Sequence, residues 1–148
     1  MIPYLRYINK IARCTTRYRG EQLKEYGLKG CHFVYLIHVC ANPGLSQDEI
    51  SKNIYINKSN VARQLAFLEE QGFVYRLPRE EDKRVTEVFP TKKTLDMYPR
   101  LREILREWSD FVFSDFTQDE LDIFGRLVIK ASERAAEKVE SVYSAGEE

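Results

Sequence analysis

The sequence predicts a mainly α-helical protein with one small β-hairpin. Two observations carry that expectation. Apolar residues recur at helical spacing over six stretches, and two of these open on a capping pattern, Ser46 with Glu49 and Thr117 with Glu120. Only between residues 73 and 89 does the pattern change, to two short runs of β-forming residues around a charged tip.

Taken in order, the first stretch runs from Pro3 to about Tyr26. Leu5, Ile8, Ile11 and Ala12 fall on one helical face, with Arg6, Arg13, Arg17 and Arg19 among them, and Gly27 closes it. Residues 31–40 are strongly apolar and fit a buried strand or a helix by period alone. The helical segments that follow favour a helix, which Asn42-Pro43-Gly44 ends. At Ser46 the side chains of Ser46 and Glu49 have the spacing to satisfy each other's free backbone N–H, with Leu45 and Ile50 as a hydrophobic staple. This short helix reaches about Asn53. Tyr55-Ile56 make a turn, and Asn57 caps a second helix over 58–71, with Val61, Leu65 and Leu68 on one face and Gly72 as its stop.

Residues 73–77 and 85–89 form the hairpin, and Pro90 ends its second strand. Thr91 then caps a long helix to about Phe113. Leu95, Tyr98, Leu101, Leu105 and Trp108 are expected to face inward, and Pro99 to kink it. The last helix covers 118–143, stapled by Phe116 and Leu121. Its tail, Ser144 to Glu148, is expected to fray.

Composition narrows the function classes. A chain of 148 residues suits one domain, 43% apolar and 31% charged are ordinary for a soluble protein, and 23 basic residues balance 23 acidic ones. Zero net charge argues mildly against nucleic-acid binding through bulk charge, although recognition needs only a local basic face. No apolar stretch approaches the ~20 residues that span a bilayer. The start, Met1-Ile2-Pro3-Tyr4-Leu5-Arg6, lacks the order of a signal peptide, so a cytoplasmic protein without a membrane partner is expected. Cys14, Cys31 and Cys40 are an odd count and are expected to be inert, buried thiols rather than a disulfide framework. Neither a P-loop, nor a Gly-rich dinucleotide fingerprint, nor a nucleophile elbow, nor a paired-His helix is present. His32, His38, Cys31 and Cys40 lack zinc spacing. An enzyme is therefore not expected, nor a cofactor or metal.

Two short helices joined by a tight turn and followed by a basic hairpin make a winged helix-turn-helix, here spanning about 31–90. With the apolar stripe of the second helix turned inward, steps of about 100° bring Ser59, Asn60, Arg63 and Phe67 to its outer side. Lys58, Ser59 and Asn60 lie at its N-terminus, where free N–H groups favour phosphate. Arg63 has the fork geometry to read guanine or hold a phosphate. The hairpin adds Arg76, Arg79, Lys83 and Arg84, mixed with Glu80, Glu81 and Asp82. Asp82 and Arg84 are two apart, so the carboxylate can orient the guanidinium for a narrow minor groove. A merely solvated face is the plain alternative.

At these residues the chain resembles the MarR family of regulators. The resemblance is carried by Leu45-Ser46-Gln47-Asp48-Glu49-Ile50, Asn57-Lys58-Ser59-Asn60-Val61-Ala62-Arg63, Leu68-Glu69-Glu70-Gln71-Gly72-Phe73-Val74 and the wing Arg79-Glu80-Glu81-Asp82-Lys83-Arg84 with Thr91. It implies a dimer on double-stranded DNA, with recognition helices in successive major grooves and wings at the flanking minor grooves. It also implies, in many members, a ligand cleft between the dimerisation helices and the DNA-binding lobe. The residues expected at a pseudo-palindromic operator are Ser46, Gln47, Lys58, Ser59, Asn60, Arg63, Gln64, Arg76, Arg79, Asp82, Lys83 and Arg84. Four positions depart from the family: Phe67 replaces a frequent basic residue, Gln64 an apolar one, Pro90 a leucine and Thr94 a glycine.

Beyond the lobe, residues 1–30 and 91–148 are expected to supply dimerisation helices within one domain over 1–148. Tyr4, Leu5, Ile8 and Ile11 at one end and Leu121, Phe124, Leu127 and Val128 at the other exceed what a small lobe can cover, and a twofold partner fits a twofold site. Tyr7, Tyr18, His32, Tyr35 and Trp108 are the candidates to line a cleft for a small-molecule effector, although aromatics on amphipathic helices are usually core. The function expected is a sequence-specific DNA-binding regulator, a repressor released by a signal. The alternatives are a winged-helix module that binds protein and not DNA, which zero net charge favours, and a cysteine-based redox sensor through Cys14.

Overall fold

The computed structural model describes residues 3–144, so the expected frayed tail beyond Ser144 lies outside the described residues. The chain divides into two compact units, Met1–Trp108 and Ser109–Glu148. In order, it forms α1 (Tyr4–Leu23), α2 (Phe33–Ala41), β1 (Leu45–Ser46), α3 (Gln47–Ile54), α4 (Lys58–Glu70), β2 (Val74–Pro78), β3 (Thr86–Pro90), α5 (Lys92–Val112) and α6 (Gln118–Ser144), with short 3-10 turns at Lys24–Tyr26 and Gly30–His32. Among the described residues no helix is long and apolar enough to cross a membrane.

Local chemistry sets most boundaries. Gly27 ends the first helical run at φ 70°, a left-handed conformation that a side chain would oppose. Ser46 and Glu49 form the reciprocal box: the Glu49 N–H donates to Ser46 Oγ at 3.1 Å and the Ser46 N–H to Glu49 Oε2 at 2.7 Å. The turn between α3 and α4 places Tyr55 at φ 55°, and the buried Ser51 hydroxyl donates to the Ile56 carbonyl at 2.6 Å to hold it.

In the first unit the core is one cluster. Leu23, Phe33, Leu36, Ile50, Val61, Leu65, Leu68, Val88, Leu101 and Ile104 are fully buried. Truncating any of these leucines leaves a cavity and costs about 2–5 kcal/mol. The hairpin gains a strand that period alone does not reveal. Leu45–Ser46 pairs antiparallel with β3, giving the order β1-β3-β2 with Leu45 opposite Val88 and Tyr75 opposite Phe89. Two residues are too short for any alternation to register.

The inward face of α5 differs in part from the expected one. Leu101 is buried and Tyr98 and Leu105 pack against the core as expected, but Thr94, Met97 and Ile104 are buried beside them, Trp108 is only partly covered and Leu95 is 48% exposed. The cause lies across the chain. The Thr94 hydroxyl donates to the Phe73 carbonyl at 2.6 Å and the Thr91 hydroxyl to the Gly72 carbonyl at 2.7 Å, which fixes the helix rotation at the end of α4. Pro99 lies inside α5 without ending it.

In the second unit, Thr117 and Glu120 make the second capping box, and Phe113, Phe116 and Phe124 pack ring against ring. Along α6, Ile123, Leu127, Val128, Ile129, Val139 and Val142 stay exposed.

Candidate nucleic-acid interface

The second helix of the helix-turn-helix is built from its cap outward. Asn57 Oδ1 accepts the Asn60 N–H at 2.8 Å and the Ser59 hydroxyl at 2.9 Å, which anchors the first turn of α4. Val61, Leu65 and Leu68 point into the core and leave Ser59 and Arg63 exposed on the opposite side, while Lys58 is exposed as the first residue of the helix. Lys58 pairs with Asp48 at 3.2 Å across two exposed side chains, a contact of little energetic weight. Arg63 has no ion pair among the described residues.

Phe67 is not on the outer face with them. Four steps of about 100° overshoot a full turn, so Phe67 is rotated from Arg63 toward the Leu68 side. There its ring stacks on His32, with centroids 4.8 Å apart and planes at 18°. The departure from a basic residue at this position therefore serves packing. Asn60 and Gln64 are half-buried and also lean inward: Gln64 meets His32 Nε2 through Oε1 at 3.1 Å and donates from Nε2 to Asn60 Oδ1 at 3.3 Å.

Three of the expected contact residues hold the lobe together. Ser46, 6% exposed, is occupied by its box with Glu49 as the cap of α3. Arg76 donates from Nε to Glu69 at 2.6 Å and from Nη1 to Gln47 Oε1 at 2.7 Å, joining β2 to the start of α3 and the end of α4. Arg79 donates from Nε to Glu87 at 2.9 Å and reaches Glu49 at 3.5 Å. The backbone N–H of Ser46 chiefly, with Arg79 as a lesser influence, holds the Glu49 carboxyl below its usual range. Arg76 and Arg79 are thus braces, not free arms.

At the wing tip the spacing of two works as expected. Arg84 donates from Nε to Asp82 Oδ1 at 3.0 Å and from Nη2 to Oδ2 at 3.1 Å, while its backbone N–H also reaches Oδ1 at 3.1 Å. The Arg84 side-chain hydrogen bonds hold Asp82 below the ordinary carboxylate range. This fork-on-fork pairing fixes the plane of a guanidinium that is still 90% exposed. Lys83 beside it is exposed and carries no ion pair among the described residues.

The five aromatic cleft candidates occupy different settings. His32 and Tyr35 are core, 3% and 1% exposed, and Tyr7 is an exposed residue of α1. Tyr18 and Trp108 stack at 4.8 Å, and Trp108 Nε1 donates to Thr15 Oγ1 at 2.9 Å, which ties α5 to α1. Two buried polar atoms have no hydrogen-bond partner among the described residues, the Tyr35 hydroxyl and Arg19 Nε. The expectation of three buried thiols is corrected. Cys40 is buried, and burial pushes its pKa up to about 11, but Cys14 on α1 and Cys31 in the 3-10 turn before α2 are exposed. Among the described residues no group of three or more His, Cys, Asp or Glu is placed to hold a metal.

The zero net charge has a local counterpart. Lys58, Arg76, Arg79 and Arg84 each stand against a carboxylate, so that among the expected contact residues only Arg63 and Lys83 are cations without an ion pair to the described residues. The His32–Gln64 contact had no sequence signal, because its partners are 32 residues apart.

Known proteins share both the sequence pattern and the fold. The MarR family model matches residues 32–86, the span that holds the helix-turn-helix and most of the wing. The uncharacterised HTH-type transcriptional regulator YybA of Bacillus subtilis (strain 168) is 32% identical over 128 residues, which are 86% of this chain and 85% of that protein. The crystal structure of the transcriptional regulator SlyA superposes with a TM-score of 0.92 at 27% identity, covering 95% of this chain and 99% of the other. A MarR family regulator of Listeria monocytogenes, solved with a 26mer DNA, gives a TM-score of 0.88 at 25% identity over 93% of this chain and 92% of its own. These are regulators and not enzymes. With a capped recognition helix, a braced wing and this likeness over nearly its whole length, the chain belongs to the MarR family of DNA-binding transcriptional regulators.

Proposed function

We propose that the exposed side of α4, with Ser59 and Arg63, half-buried Asn60 at its edge and Lys58 at its N-terminus, reads the major groove of double-stranded DNA, and that Arg84, oriented by Asp82, enters the adjacent minor groove with Lys83 on the flanking phosphates. The observation that carries this is the exposed fork of Arg84 held in one plane by a carboxylate two residues away. A narrow minor groove draws arginine by its negative potential, and a guanidinium fixed beforehand loses less freedom on entry. A bulk-charge binder would not keep four of its cations against carboxylates. Selectivity in this chain rests on placement.

A homodimer on a pseudo-palindromic operator completes the reading. Tyr4, Leu5, Tyr7, Ile8 and Ile11 on α1 and Leu127, Val128 and Ile129 on α6 are exposed, more apolar surface than scattered single residues would give. We assign the chain as a repressor whose bound operator is closed to transcription. Its release falls to a small-molecule effector, which the unpartnered Tyr35 hydroxyl and Arg19 Nε favour. A DNA-directed role in turn puts the chain in the compartment that holds the DNA. The test is selection of duplexes from a random pool, followed by titration of the selected site at several salt concentrations. A recurring twofold motif is expected. Binding no tighter than to random duplex overturns the assignment.

A further inference from the structure

His32 lies buried beneath the recognition helix, and its hydrogen bonds have a direction that can be worked out from one end. Its Nδ1 accepts the backbone N–H of Lys29 at 3.0 Å. A backbone N–H can only donate, so Nδ1 is the bare nitrogen and the ring proton sits on Nε2. That proton is donated to Gln64 Oε1 at 3.1 Å, which turns the Gln64 amide nitrogen toward Asn60 Oδ1 at 3.3 Å. The Asn60 oxygen thus faces inward, and its NH2 group remains for whatever lies outside the helix. Phe67 stacked on the ring holds its plane. Burial keeps the imidazole below its usual pKa and so in the neutral form the relay requires.

We propose that His32 is a positioning residue which, through Gln64, makes Asn60 a donor toward DNA, so that Asn60 selects bases presenting acceptors in the major groove. The inference rests on the reading of α4 as the helix that faces DNA. Guanine offers two acceptors there, N7 and O6, and thymine offers O4, whereas cytosine offers only its amino donor and adenine sets an amino donor beside its single acceptor N7. Asn60 with this polarity favours G or T at the base it meets.

The test compares duplexes selected from a random pool, at fixed salt, by the full-length protein, by Gln64→Glu and by His32→Phe. The carboxylate of Gln64→Glu still accepts from His32 Nε2 but has no N–H for Asn60, whose amide then turns over and offers its oxygen. One position of the selected motif should move from G or T to C or A, with relative enrichment changing roughly tenfold. His32→Phe keeps a ring against Phe67 and removes the source of polarity, so that position alone should lose about tenfold of its preference while its neighbours keep theirs. If His32→Phe fails to fold, Gln64→Glu decides the matter, and nitrogen NMR of wild-type His32 at neutral pH should show the Nε2–H tautomer. The same motif from all three proteins, a loss spread evenly over every position, or an Nδ1–H tautomer overturns the inference. If the wild-type protein selects no motif at all, the DNA-facing assignment of α4 has failed, and the inference falls with it.

Discussion

Two glycines that face each other should respond to the same substitution with opposite signs. Gly30 opens the 3-10 turn that carries His32, and it lies against α1. A Cβ built on it would sit 1.9 Å from the Thr16 carbonyl oxygen, 2.9 Å from that carbonyl carbon and 3.1 Å from the Gly20 nitrogen. All three are backbone atoms, so no rotamer change relieves them. Either α1 or the turn must move. Overpacking typically costs 1–3 kcal/mol, and a contact this close to rigid backbone belongs at the upper end, about 3 kcal/mol. At about 2–4 °C per kcal/mol for a chain of this size, Gly30→Ala should lower Tm by roughly 6–12 °C. On Gly20, inside α1, a Cβ would meet the Gly30 nitrogen at 3.4 Å and its Cα at 3.8 Å, ordinary contacts. Alanine is favoured over glycine in a helix by about 0.8–1.0 kcal/mol, so Gly20→Ala should be neutral or stabilising by up to that amount. Urea titration of both variants, with wild type as reference, measures the difference. A Gly30→Ala protein within about 0.5 kcal/mol of wild type, or a Gly20→Ala protein as damaged as Gly30→Ala, would refute the steric argument.

Other consequences are equally open to measurement. Arg63→Ala should weaken operator binding roughly tenfold or more. A reduced salt dependence would assign the contact to phosphate and a relaxed motif would assign it to a base, while unchanged affinity removes Arg63 from the interface. Asp82→Ala should weaken binding although it removes a negative charge. Arg84→Lys should rescue Arg84→Ala only in part, and the Asp82/Arg84 double alanine variant should lose less than the sum. Tighter binding by Asp82→Ala at fixed salt would leave the wing a simple electrostatic arm. Sedimentation at micromolar concentration should find a dimer for wild type and a monomer for Leu127→Glu, and a monomeric wild type would remove the proposed assembly. Burial lowers the pKa of His32 and of His38, so the unfolded chain binds protons near pH 6.5 that the folded chain does not. Stability should therefore fall as pH drops below about 6.5, with a smaller fall in His32→Gln. Urea midpoints equal at pH 7.5 and 5.5 would contradict this.

The sequence by itself determined the elements whose causes are local. The boxes at Ser46–Glu49 and Thr117–Glu120, the stop at Gly27, the Asn57 cap and the Asp82–Arg84 pair all join residues no more than four apart, and such spacings can be read along the chain. The buried stripe Val61, Leu65 and Leu68 was legible for the same reason, since one helical period relates its members. What only the tertiary structure decided joins residues far apart. Strand β1 exists because Leu45 meets Val88, and the rotation of α5 follows from Thr94 reaching the Phe73 carbonyl. Arg76 became a brace because Gln47 and Glu69 converge on it, and Phe67 turned from the outer face because His32 offers a ring beneath it. Each of these needs a neighbour that periodicity does not encode. A side chain at a helix edge goes to whichever partner the packed core places within reach, and that placement is settled only when the elements come together.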